Sequence, residues 1–158
     1  MMKNYLRFLL VSLVGFMGII ACNDFLNVKP RNKYLNSQVF NSESGIKSQL
    51  NGVYMGMAKK SLYGGNLTMS TLEILAQQYK IRSQSHDWFQ YATYSYDESE
   101  VMATMDNIWS DAYRLILNIN DFIKSLDNTE GVISERKSKL LKGEAYGLRA
   151  MLHFDLLR

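Results

Sequence analysis

The sequence predicts an all-α fold with long loops. Three observations carry that expectation. Apolar residues recur every three or four positions in three stretches, turn-rich Gly, Asn and Asp clusters separate them, and the one long aperiodic stretch, residues 80–98, lacks the clean alternation of a strand.

Residues 1–21 precede the fold and have the three-part layout of a secretory leader. Lys3 and Arg7 form a basic start, residues 8–20 (FLLVSLVGFMGII) are an uncharged run of 13, and small Ala21 stands before Cys22. A bilayer-spanning helix needs about 20 apolar residues, so this run is too short to cross. Ile19-Ile20-Ala21-Cys22 resembles the bacterial lipobox, with Ile19 where leucine is usual. Cys22, the only cysteine, is therefore the expected attachment point of a lipid anchor. Acyl chains contribute about 0.8 kcal/mol per buried methylene, and a single chain holds only marginally, so such an anchor relies on several. A lipidated Cys22 leaves the mature chain without a thiol or a disulfide, which suits an oxidising envelope.

The leader also holds two of the 18 Lys and Arg residues. The remaining 16 face 15 acidic residues, and that near balance, with no arginine-rich patch, argues against a nucleic-acid partner.

Residues 22–38 read as a lipidated, extended tether. Pro30 biases Lys29 away from helix, and Asn23, Asn27, Asn32 and Asn36 favour turns. Phe25, Leu26 and Val28 are expected to pack on the body that follows, residues 39–158.

The first helix of that body is marked by Ile46, Leu50, Val53, Tyr54 and Met57 on one face, with Asn41 or Ser42 as cap and Glu43 in the first turn. Tyr63-Gly64-Gly65-Asn66 breaks the pattern. A shorter helix is expected over 69–79, carrying Leu72, Leu75, Ala76 and Tyr79. The aperiodic residues 80–98 form a loop of a length that is often functional. Asp97 and Glu100 have the spacing of a helix-starting cap. The longest helix follows, through Met105, Trp109, Ala112, Tyr113, Ile116, Asn120 and Ile123, to end near Asp127. After the turn DNTEG, Ser134 opens a last helix through Leu140, Leu141, Ala145, Leu148, Met151, Leu152 and Leu156, antiparallel to its predecessor. Trp109 and Tyr113 are expected in the core, and Met55, Met57, Met102 and Met105 as gap fillers.

Two features of the last helix need a physical account. Gly143, Ala145, Gly147 and Ala150 are expected to let a partner helix approach closely, because Gly inside a helix costs about 1 kcal/mol relative to Ala. Glu144 and Asp155 lie on or beside the apolar stripe and need partners, for which Arg149 and Arg114 are the candidates. The pattern runs to Arg158 without a stop signal, so the domain is expected to be incomplete at its C-terminus.

The chemistry-bearing residues favour binding over catalysis. His86-Asp87 reads as a solvated loop, and His153 and Asp155, two apart on a helix, point away from each other. No zinc-protease, phosphate-loop or nucleophile-elbow motif occurs, no metal site is readable, and no cofactor is expected. The aromatic loop is the candidate binding site. Sugar C–H faces lie on aromatic planes while sugar hydroxyls seek Asn, Asp and Arg, which singles out Trp88, Tyr91 and Arg82 as ligand-binding.

The residues taken together resemble the SusD/RagB family of nutrient-uptake lipoproteins of the Bacteroidota outer membrane. The resemblance is carried by Cys22 with Asp24-Phe25-Leu26 and Pro30, by Val39-Phe40, by Leu50-Asn51-Gly52-Val53-Tyr54, and by Trp109, Tyr113, Ile116 and Asn120. Its most specific part is Gly143-Glu144-Ala145, Leu148-Arg149-Ala150, His153-Phe154-Asp155 and Leu156. It implies tetratricopeptide-like helix pairs, of which this chain holds the N-terminal part, and a lipid anchor on the outer face of the outer membrane. It also implies a TonB-dependent, SusC-like transporter as partner and a glycan or peptide as ligand, with loops between the early helices contributing to the ligand surface. The alternatives are a lipid-anchored helical adaptor that binds only protein, and a truncated fragment without function of its own.

Overall fold

The computed structural model describes residues 39–157; the expected leader, the expected lipidation site Cys22 and the expected tether lie outside them. Five helices, α1 (Glu43–Met57), α2 (Thr71–Leu75), α3 (Phe89–Ala92), α4 (Ser99–Leu126) and α5 (Glu135–Leu157), are joined by turns, with no strand among the described residues. The all-α expectation holds. No helix of the described residues is long and apolar enough to cross a membrane.

α1 begins where Ser42, in extended conformation, accepts a hydrogen bond from Gly45 N–H at 3.1 Å. That satisfies one of the donors a helix start leaves open. Ile46, Leu50, Val53 and Met57 are buried, whereas Tyr54, expected with them, is half exposed. α4, about 42 Å long at 1.5 Å per residue, turns Ala112, Leu115, Ile116, Ile119, Phe122 and Leu126 inward. Its cap is Glu98 rather than Asp97, and Glu98 makes no side-chain cap bond. Ser134 does cap α5, its hydroxyl accepting from Lys137 N–H at 3.4 Å.

The directions of the long helices follow from their cross-contacts. Asp127–Lys142, Asn120–Arg149 and Tyr113–His153 pair falling α4 numbers with rising α5 numbers, so these helices are antiparallel, as expected. Glu43–Lys137 and Tyr54–Glu144 rise together, which makes α1 and α5 parallel. Phe122, Ile46, Leu62, Ile119 and Leu152 are fully buried at the centre of this arrangement. Gly56 permits the α1–α4 approach: a Cβ there would lie 2.4 Å from Leu115 Cδ2.

The two short helices pack against the start of α4 in a second cluster around Ile74, Tyr91 and Val101. α2 is shorter than the expected 69–79 because Gln77 adopts φ 57°, which stops the helix. Gln77 N–H then bonds Ile74 C=O and Gln78 N–H bonds Glu73 C=O, the pairing of a Schellman end built without glycine. α3 ends the same way at Tyr94, φ 58°. Each of these left-handed residues reaches across to the other helix. Gln77 Nε2 donates to Ala92 C=O at 2.9 Å, and Tyr94 hydroxyl donates to Leu75 C=O at 2.9 Å. The backbone strain is thus offset by two reciprocal caps.

Several expectations are corrected by the packing. Trp109 and Tyr113 are 55% and 42% exposed. They lie on the flank of α4, stacked on each other at 4.9 Å, because the inward face is the neighbouring stripe of Ala112, Ile116 and Ile119. Met55 and Met102 are likewise exposed, while Met57 is buried. Of the small residues of α5 only Ala145 is buried, and a Cβ on Gly143 or Gly147 would meet open space. Among the described residues, Glu144 and Asp155 are bonded by tyrosines, while Arg149 and Arg114 bond elsewhere. Tyr54 donates to Glu144 and Tyr63 to Asp155, each at 2.6 Å. The first bond pushes the Tyr54 phenol above its ordinary range. Arg114 instead pairs with Asp111, and Arg149 donates to Asn120 while lying 5.0 Å over the Tyr146 ring.

Glu43 brackets the start of the bundle, accepting from Lys137 at 2.8 Å and from Lys47 at 2.9 Å. Hydrogen bonds from Lys137 and then Lys47 hold its carboxyl down to about 2, against an ordinary 4.5. A depressed carboxyl contributes stability above its unfolded pKa and loses it as pH falls through the folded one. The bracket is therefore intact above pH 4.5 and weakens toward pH 2. Melting temperatures measured from pH 6 to pH 2 at low salt are expected to fall less steeply in Glu43→Gln than in the parent; parallel curves would show that solvent already screens the bracket.

Candidate ligand-binding cleft

The turns of residues 58–70, the aromatic loop and the first half of α4 enclose a cleft of about 440 Å³. The turns supply Lys60, Ser61 and Asn66, the loop supplies Asp87, Trp88 and Tyr91, and α4 supplies Glu100, Thr104 and Asn107. Its size falls within the usual span for small-molecule sites. A second hollow of about 400 Å³, at the α4–α5 turn, has no aromatic residue in its lining.

The sequence explains why these side chains converge. Gly64 and Gly65 let residues 58–70 fold back on themselves, with Gly64 N–H bonded to Lys59 C=O at 3.0 Å and Asn66 N–H to Lys60 C=O at 2.9 Å. Asp111 fastens this segment to α4. Its carboxylate accepts from Ser61 hydroxyl at 2.6 Å, with Lys59 at 3.4 Å and Arg114 at 2.5 Å. The Ser61 hydrogen bond, then the two cations, lower the Asp111 carboxyl below its ordinary range.

Of the three residues singled out in the sequence, the structure brings two to the cleft. Trp88 is half-buried in its wall. Tyr91, only 2% exposed, is not free to stack on a ligand. Its ring lies 4.9 Å from that of Trp88, and its hydroxyl bonds Thr104 Oγ1 at 2.8 Å and Glu100 C=O at 3.3 Å. Tyr91 thus positions Trp88. Arg82 is exposed and does not line the cleft.

The polar lining was less visible in the sequence. Asn66 sits in a stretch that reads only as a helix break, yet it is 8% exposed and faces the cleft. Thr104 and Asn107 fall between the apolar positions of α4, where a polar residue ordinarily signals solvent. His86 accepts the Trp88 backbone N–H on Nδ1 at 3.2 Å, so it serves the loop rather than an acid–base pair with Asp87. Among the described residues no group of three His, Cys, Asp or Glu is arranged to hold a metal ion.

The chain belongs to the SusD-like family described as starch-binding and associating with the outer membrane, whose model matches residues 24–158. No curated protein and no solved structure matches it. The family is one of binding proteins rather than enzymes, and its description ties glycan binding to the outer membrane.

Proposed function

We propose that the protein is a surface lipoprotein, anchored through Cys22, that binds a glycan nutrient in this cleft and delivers it to a TonB-dependent SusC-like transporter. The observation that carries the reading is Trp88, an indole held by a buried tyrosine at the wall of a cleft otherwise lined by amides, hydroxyls and charges. An aromatic plane beside convergent hydrogen-bonding groups matches the two surfaces of a sugar ring, its C–H face and its hydroxyl rim. The anchor and leader are supported by the sequence of residues 1–22. The transporter is supported by the family resemblance.

Trp88→Ala is expected to weaken binding of oligosaccharides, maltooligosaccharides among them, at least tenfold by calorimetric titration, about 1.4 kcal/mol. Its melting temperature is expected to stay within about 5 °C of the parent, the shift of roughly 1 kcal/mol. Equal loss of stability and affinity assigns Trp88 to packing. The adaptor reading draws on a different surface, the exposed Trp109–Tyr113–His153 ladder between α4 and α5. Copurification with the transporter and no binding across a glycan array would favour it.

A further inference from the structure

We infer that the cleft is built for uncharged sugar units and turns away acidic ones, and that Asp87 and Glu100 set this preference; the inference rests on the glycan reading of the same cleft. The argument begins with hydrogen-bond direction. Asn66, more than nine-tenths buried, accepts from Ser70 Oγ on its Oδ1 at 3.3 Å, and its side-chain N–H groups have no partner among the described residues. Those N–H groups face the cleft and can donate to a ligand acceptor, a hydroxyl or ring oxygen. Ser61 already donates its hydrogen to Asp111, so toward the cleft it has only lone pairs to offer. Tyr91 and Thr104 hydroxyls are engaged with each other.

Asp87 and Glu100 then decide the sign. Neither forms an ion pair with a described residue, and an ionised carboxylate only accepts hydrogen bonds. Acceptors on the cleft therefore require donors on the ligand, which sugar hydroxyls supply. Among the described residues Lys60 is the one cation in the lining against these two carboxylates. The charge of nearby Asp111 is met by Lys59 and Arg114, so it does not alter that balance. A uronate or sulfate entering the cleft would face the carboxylates as a like charge. Neutral hydroxyls meet no such opposition.

The test reads the charge of the cleft and its ligand preference separately, in the full-length protein. The chain has two tryptophans, so Trp109→Phe leaves Trp88 as the only indole reporter. Quenching of its fluorescence, normalised to free tryptophan at fixed ionic strength, is expected to be about twofold stronger with caesium than with iodide, and to lose that preference in Asp87→Asn/Glu100→Gln. On a glycan array in which each backbone appears neutral and with added uronate or sulfate, the acidic member is expected to bind at least tenfold more weakly, and the double variant to narrow that gap. Iodide quenching as strong as caesium, or acidic glycans bound as well as neutral ones, overturns the inference while leaving glycan binding in place. Caesium preference with no glycan bound at all removes the proposed function, and the inference with it.

Discussion

Phe122→Ala is expected to destabilise the protein by about 3–5 kcal/mol, the range for deleting a buried phenylalanine ring. Phe122 is 1% exposed and lies 5.8 Å from the ring of Phe40, the residue that leads the chain into α1. It packs in the same cluster as Ile46, Ile119 and Leu126, so the void opens where α1 and α4 meet. Truncation loses the transfer energy of the ring and leaves a cavity that neighbouring helices, fixed by Gly56 against Leu115, cannot close. Trp109→Ala removes a larger side chain but one that is 55% exposed, and is expected to cost under about 1 kcal/mol, within the range of changes away from the core. Urea denaturation of both variants measures the contrast. Equal losses would mean that the flank of α4 bearing Trp109 is covered as fully as the face bearing Phe122.

That contrast also shows where sequence reading reaches its limit. Periodicity located α1, α4 and α5, because the signal is local to each helix. Of the two cap candidates for α1 the structure uses Ser42, Ser134 caps α5, and the cap of α4 is Glu98, one residue after the expected Asp97. Periodicity did not distinguish the two adjacent apolar stripes of α4. Trp109, Tyr113 and Asn120 recur with helical spacing just as Ala112, Ile119 and Phe122 do, and only the docking of α1 and α5 selects the second set. The partners of Glu144 and Asp155 were illegible for a related reason: Tyr54 and Tyr63 lie about 90 positions away, on elements whose alignment with α5 no spacing rule fixes. α2 was overextended because its stop is a left-handed glutamine, stabilised by the carbonyl of Ala92 rather than by the glycine that sequence rules look for.

The cleft divides in the same way. Trp88 stood out because an aromatic-rich stretch without period has no core of its own to enter. Its tyrosine neighbour separated into a positioning role only through burial, which depends on Ile74 and Val101 of two other elements. Asn66 was hidden by its context, since the glycines before it account for the turn without asking what the asparagine faces. Chemistry alone thus placed Trp88 at the cleft but also selected Arg82, which does not line it, and it passed over the residues brought together by separate segments.

Gly64→Ala is expected to damage both the fold and the cleft. A Cβ at this position would sit 2.1 Å from Ala58 O and 2.9 Å from the carbonyl carbons of Ala58 and Lys59. These are backbone atoms, so no side-chain rotation relieves the clash, and residues 58–70 must open. Opening pulls on Asn66 N–H to Lys60 C=O and Leu67 N–H to Leu62 C=O, and with them on fully buried Leu62. A loss of about 3 kcal/mol is expected, the upper part of the overpacking range. Because Lys60, Ser61 and Asn66 belong to this segment and to the cleft wall, oligosaccharide affinity of the folded fraction is expected to fall at least tenfold as well. Gly143→Ala is the matched control. It adds the same methyl in open space inside α5, where replacing glycine is expected to stabilise by about 0.5–1 kcal/mol and to leave binding unchanged. Thermal denaturation and calorimetric titration of the two variants measure these effects. A Gly64→Ala protein as stable as the parent would show that residues 58–70 are not held as tightly as their hydrogen bonds require, and a variant that loses stability but keeps its affinity would detach the cleft from that segment.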